Sequence, residues 1–172
     1  MAIILVGFTG VGKSTIGREI AQELKFKFID LDNEIECRER ELIKSIFSNH
    51  GEDYFRSVEI RILKEIIGEN LGSISVISTG GGTIESSEAR EVIKNGNVVV
   101  YLRCDKTLIE KRRSVLKDRP ILERCDWEVR FEEREKWYES VSTITYFVSD
   151  ILEENAQNIT AELTKIIKKT IK

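Results

Sequence analysis

Gly7-Phe8-Thr9-Gly10-Val11-Gly12-Lys13-Ser14 follows directly on the apolar run Ile3-Ile4-Leu5-Val6, and this stretch decides the fold. The octapeptide fits G-x-x-x-x-G-K-[ST], the phosphate-cradling loop of nucleoside triphosphatases and kinases. Its glycines let backbone N–H groups converge on phosphate oxygens without obstruction from Cβ atoms. Downstream, Ile16, Ile20 and Leu24 recur every four residues, as one face of a helix requires. A buried strand, an anion-wrapping turn and a helix start therefore follow in order. The helix adds its positive dipole end and its unpaired N–H groups. Lys13 supplies a point charge for the β- and γ-phosphates, and Ser14 offers a hydroxyl to Mg²⁺.

Beyond this unit, short β-branched strands alternate with amphipathic helices. Strands are expected at Ile3–Gly7, Lys27–Asp30, Ser75–Ser78, Asn97–Leu102 and Thr143–Val148. Helices are expected at Lys13–Leu24, Asn33–Arg40, Leu42–Asn49, Tyr54–Ile67, Ser87–Lys94, Lys106–Arg113 and Trp127–Val141, with a last one from about Ile159 to Lys169. Strands separated by helices imply an α/β fold, a five-stranded parallel sheet flanked by helices in three layers. In such open sheets ligands bind beyond the carboxyl ends of the strands. The phosphate loop, Asp30 to Asp32, and Thr79-Gly80-Gly81-Gly82-Thr83 all follow strand ends and should meet at one edge of the sheet.

The gross composition narrows the function classes. The chain has 172 residues, 41% hydrophobic and 33% charged, with a net charge of -3. That describes one globular domain spanning 1–172, and it excludes a nucleic-acid binder working by general electrostatics. No apolar run reaches membrane-spanning length, and the N-terminus lacks a signal-peptide layout. Cys37, Cys104 and Cys125 are odd in number and far apart, which argues against a disulfide framework or metal site and for a reducing, cytoplasmic setting. His50 is the single histidine, so a Ser-His-Asp mechanism has little material.

Six motifs in order give the chain a resemblance to the shikimate kinases. They are G-F-T-G-V-G-K-S at 7 to 14, D-L-D at 30 to 32, G-E-D-Y-F-R-S-V-E at 51 to 59, S-T-G-G-G at 78 to 82, R-P-I-L at 119 to 122 and R-E-K-W-Y at 134 to 138. The resemblance implies transfer of the ATP γ-phosphoryl group to the 3-hydroxyl of shikimate, on the route to chorismate and the aromatic amino acids. It implies that Gly10, Val11, Gly12, Lys13, Ser14 and Thr15 hold ATP, with Arg112 near adenine and Arg119 on the phosphates. It places Asp30 with Ser14 in the Mg²⁺ environment, and Asp32 on a substrate hydroxyl as candidate base. Arg56 and Arg134 are expected to clamp the substrate carboxylate, and Gly80, Gly81 and Gly82 to approach the ring. Lys13, Asp32 and Arg119 form the expected catalytic set. Residues 32–70 become a substrate-binding helical segment and 112–126 a lid, in a cytoplasmic monomer that binds neither nucleic acid nor membrane.

Each motif also has a physical reading. Asp30 and Asp32, with Leu31 between, would point the same way in an extended chain, and two such charges need a cation or donor between them. Alternatively Asp32 caps the helix near Asn33. An arginine fork holds a carboxylate through two parallel hydrogen bonds. The segment Ser114–Asp126 carries Lys117, Arg119 and Arg124, cations that closure would bring to the transferring group. The chain departs from the family pattern at Glu41, where a glycine is usual between two helices. It departs again at Ser149-Asp150-Ile151-Leu152-Glu153-Glu154-Asn155, which lacks the arginine and proline of the family's adenine loop, leaving adenine to backbone or apolar contacts. Another small-metabolite kinase on the same fold, such as a gluconate kinase, and a nucleotide-binding module without catalysis are the competing readings. The lack of an N-K-x-D segment counts against a GTPase switch.

Overall fold

The computed structural model describes residues 1–69, 73–113 and 127–170. Its strands are β1 (Ala2–Val6), β2 (Lys27–Asp30), β3 (Ser75–Ser78), β4 (Val98–Arg103) and β5 (Ile144–Phe147). They form one sheet in the order β2-β3-β1-β4-β5, every pair parallel. The helices are α1 (Lys13–Leu24), α2 (Leu31–Glu39), α3 (Ile43–Glu69), α4 (Ser87–Lys94), α5 (Lys106–Arg113), α6 (Trp127–Val141) and α7 (Leu152–Thr170), with a 3₁₀ turn at Thr83–Glu85. Among the described residues no helix is long and apolar enough to cross a membrane.

Strand β1 is central and buried along its length, so its side chains must be apolar on both faces. Because strand side chains alternate, Ile3 and Leu5 pack on one face with Ile16 and Ile20 of α1 and Ile159 and Leu163 of α7. Ile4 and Val6 join the other core, with Ile62 and Leu63 of α3, Ile93 of α4 and Tyr138 of α6. These are the two helical layers that the alternation of strands and helices predicts.

Four departures from the expected boundaries have physical causes. Helix α2 begins at Leu31, because Asp30 is its N-cap and accepts a hydrogen bond from the Asn33 amide at 3.4 Å. Asp30 and Asp32 therefore do not share an extended strand, and the cap is Asp30, not Asp32. The turn that usually carries a glycine is made by Arg40 in the left-handed region (φ 55), while Glu41 accepts from Asn49 at 2.7 Å. The two helices expected at 42–49 and 54–67 run as one element that breaks at Gly51 (φ 85, ψ 173). Helix α7 starts seven residues before the expected Ile159. Asn155, buried just inside it, closes a ring by accepting from the Ser149 amide at 3.0 Å and donating to the Ser149 carbonyl at 3.0 Å.

Candidate active site

The phosphate loop links the end of β1 to α1. Gly12 is the residue before the helix and lies at φ 106, a conformation a side chain would strain, so glycine is required there. Lys13 folds back over the loop, donating to the carbonyls of Gly7 at 2.8 Å and Phe8 at 3.1 Å. Arg112, at the end of α5, donates to the carbonyls of Val11 at 2.8 Å and Gly10 at 3.2 Å. Two cations thus occupy carbonyls of the loop, and the Val11 amide donates to the Phe8 carbonyl at 3.2 Å, which closes the turn. Thr15 is exposed in the first turn of α1.

The Ser14 hydroxyl donates to Asp30 at 2.6 Å and lies 3.4 Å from the Ser78 hydroxyl. Hydroxyl and carboxylate oxygens at the helix start are hard donors that suit Mg²⁺. Among the described residues no group of three or more His, Cys, Asp or Glu side chains could hold a metal.

Asp32 faces the glycine run instead. A Cβ built on Gly80 would lie 3.0 Å from the Asp32 carboxylate and 3.1 Å from that of Glu59. One built on Gly81 would overlap the Thr9 hydroxyl and stand 2.9 Å from the Thr9 amide, so the run can lie against the phosphate loop only as bare backbone. The Tyr138 hydroxyl donates to the Gly81 carbonyl at 2.6 Å and fastens the run to α6.

Arg56 and Arg134 come from different helices and converge. Arg134 donates through Nε and Nη2 to one oxygen of Glu85, at 2.9 and 2.6 Å. Arg56 Nη2 lies 3.8 Å from the other oxygen, and its Nη1 donates to Glu59 at 2.8 Å. A Cβ on Gly82 would stand 2.5 Å from Arg56 Nη2, so Arg56 lies directly against the glycine run. Glu59 is fully buried and also accepts from the Thr83 hydroxyl at 2.6 Å. Burial pushes its carboxyl up, against the pull of Arg56 and Thr83. The Arg134 guanidinium stands 5.5 Å from the centre of the Phe8 ring, which joins the arginine pair to the phosphate loop.

All the expected site residues except one therefore sit at one edge of the sheet. Arg119 falls within 114–126, outside the described residues, together with Lys117, Pro120, Arg124 and Cys125. Sequence reasoning missed Glu85, which stands alone in a short turn with no periodic signal. Glu59 lies within the G-E-D-Y-F-R-S-V-E motif, and its three-residue spacing from Arg56 is the signal in the sequence that pairs the two.

The family model described as Shikimate kinase matches residues 9–168. A shikimate kinase of Bacillus cereus (strain G9842) is 34% identical over 165 residues, covering 92% of this chain and 98% of the relative. Among solved structures, the shikimate kinase of Acinetobacter baumannii in complex with shikimate superposes with a TM-score of 0.85 at 33% identity, over 99% of this chain and 95% of that one. The shikimate kinase of Aquifex aeolicus gives a TM-score of 0.83 at 34% identity, over 95% of this chain and 96% of the other.

Proposed function

This chain belongs to the shikimate kinase family, a family of ATP-dependent kinases, and on that premise we propose that it transfers the γ-phosphoryl group of ATP to the 3-hydroxyl of shikimate. The products are shikimate 3-phosphate and ADP, on the route through chorismate to the aromatic amino acids. The observation that carries the reading is the convergence of Arg56 and Arg134 on a single carboxylate beside the glycine run. A small anionic ring alcohol fits such a clamp, and a neutral sugar does not need one.

In this reading the N–H groups of Gly10 to Thr15 hold the phosphates of ATP, and Lys13 meets the charge that develops on the transferring group. Ser14 and Asp30 would hold Mg²⁺, which when bound would supply positive charge to offset that of the ATP phosphates. Arg56 and Arg134 fix the shikimate carboxylate, and the ring lies against Gly80, Gly81 and Gly82. Asp32 orients the acceptor hydroxyl and accepts its proton. Phosphoryl transfer is loose, so a weak base suffices when the hydroxyl is well aimed. Arg112 braces the loop on the nucleotide side and borders adenine. Arg119 is assigned to the phosphates by the family pattern alone, in the proposed lid 112–126, of which 114–126 lie outside the described residues, and residues 32–70 are read as the acceptor-binding segment. The protein works as one domain, a cytoplasmic monomer.

ADP release measured with shikimate, gluconate and nucleoside monophosphates tests the proposal. Turnover that depends on shikimate is the expected result, and its absence would overturn the assignment.

A further inference from the structure

Arg134 has no open edge. Glu85 takes its Nε and Nη2 at 2.9 and 2.6 Å, its plane stands against Phe8, and its Nη1 is buried with no hydrogen-bond partner among the described residues. The side chain is 2% exposed. No incoming carboxylate can reach it while these contacts persist. Glu85 differs in kind: it is 24% exposed and ends a single 3₁₀ turn just after the glycine run. Of the two partners, only Glu85 has solvent into which its charge can turn. Three guanidinium groups converge on it, since Arg56 lies 3.8 Å and Arg130 3.5 Å from its oxygens.

We infer that Glu85 is an internal competitor for the acceptor carboxylate. It covers the fork of Arg134, and an anionic acceptor engages that fork only once Glu85 has turned away. This rests on the acceptor proposed above. Exchange of one carboxylate for another keeps the local charge balance. Binding without exchange would set two carboxylates side by side, which is costly in a site largely withdrawn from water. The apparent affinity for the acceptor is then the intrinsic affinity scaled by the fraction of molecules with Glu85 displaced. Glu85 also acts on specificity. An acceptor that carries a carboxylate can replace it, whereas a neutral polyol cannot repair the Arg134 pair that its own binding would break.

Calorimetric titration of shikimate and its neutral carboxamide into the wild type, Glu85→Gln and Glu85→Asp tests this. Glu85→Gln replaces a charged partner of Arg134 by a weaker neutral one and should tighten shikimate about tenfold. Glu85→Asp, with its charge withdrawn by one methylene, should fall between. The carboxamide should gain less than the acid. Unchanged or weaker shikimate binding in both variants, or equal gains for acid and amide, overturns the inference while the wild type still binds shikimate. Failure of all three proteins to bind shikimate overturns the acceptor assignment and this inference with it.

Discussion

Tyr138 donates its hydroxyl to the carbonyl of Gly81 at 2.6 Å, so a helix and a glycine run 57 residues apart in sequence are held as one body. Tyr138 itself is buried, the bond is partly so, and the ring stacks on Tyr101 of β4 at 5.1 Å between ring centres. Tyr138→Phe keeps the ring and deletes the donor, which leaves the carbonyl unpaired. A loss of about 1–3 kcal/mol in unfolding free energy is expected, read by denaturant titration. The KM for shikimate should rise more than the KM for ATP.

Lys13→Ala should lower kcat by about 10²-fold or more, because the ammonium acts where charge moves during transfer. Asp32→Asn should likewise reduce kcat with a smaller change in KM. Steady-state kinetics against both substrates separate these outcomes from simple loss of binding.

Arg56→Ala has two separable costs. It weakens shikimate binding by about 1.5–3 kcal/mol through the lost charged hydrogen bond. It also strands Glu59, whose side chain is 1% exposed, without its cation, a situation that typically costs about 3–5 kcal/mol of stability. Adding Glu59→Gln to Arg56→Ala should restore part of the stability and none of the shikimate affinity. Thermal unfolding and shikimate titration of the single and double variants check both halves.

Cys104 gives a pH prediction. Burial pushes its thiol up to about 12, against the pull of Arg112 and Lys13. The folded chain therefore holds this proton more tightly than the unfolded chain, whose thiol titrates near 8.5. The resulting stability is complete below that unfolded value and is lost as pH rises through about 12. Between pH 9 and 11 the wild type should lose up to about 1.4 kcal/mol per pH unit relative to Cys104→Ala. Parallel denaturation curves across that range would disprove it. Native alkylation should spare Cys104 while it labels Cys37, which is exposed.

Much of this molecule could be read from local signals. Helices α1 and α4 begin and end at the expected residues, α5 begins and α6 ends at them, because periodic apolar positions and clear breaks marked them. Helix α7 began earlier than expected because its first turns are secured by Asn155 reaching Ser149, a polar ring with no apolar period. The roles of Asp30 and Asp32 depended on whether the chain turned helical at Leu31, a matter of cap geometry. Arg56 and Arg134 could be paired only through the family pattern, since 78 residues separate them. Glu85 could not be read at all: a lone acid in a short turn acquires meaning only when two helices bring arginines to it.

Strands β1 and β3 lie side by side, with Leu5 opposite Ser78, and the amide and hydroxyl of Thr79 both donate to the Leu5 carbonyl. One strand leads into the phosphate loop and the other into the glycine run. In the proposed reaction the gap between donor phosphorus and acceptor oxygen is thereby tied to a backbone ladder. A slip of one residue there would move the acceptor by about 3.3 Å, more than an in-line displacement tolerates. Because Tyr138 also fastens the glycine run to α6, that spacing and the seating of α6 are set together, whereas a substitution on α3 can alter acceptor contacts and leave the ladder in place.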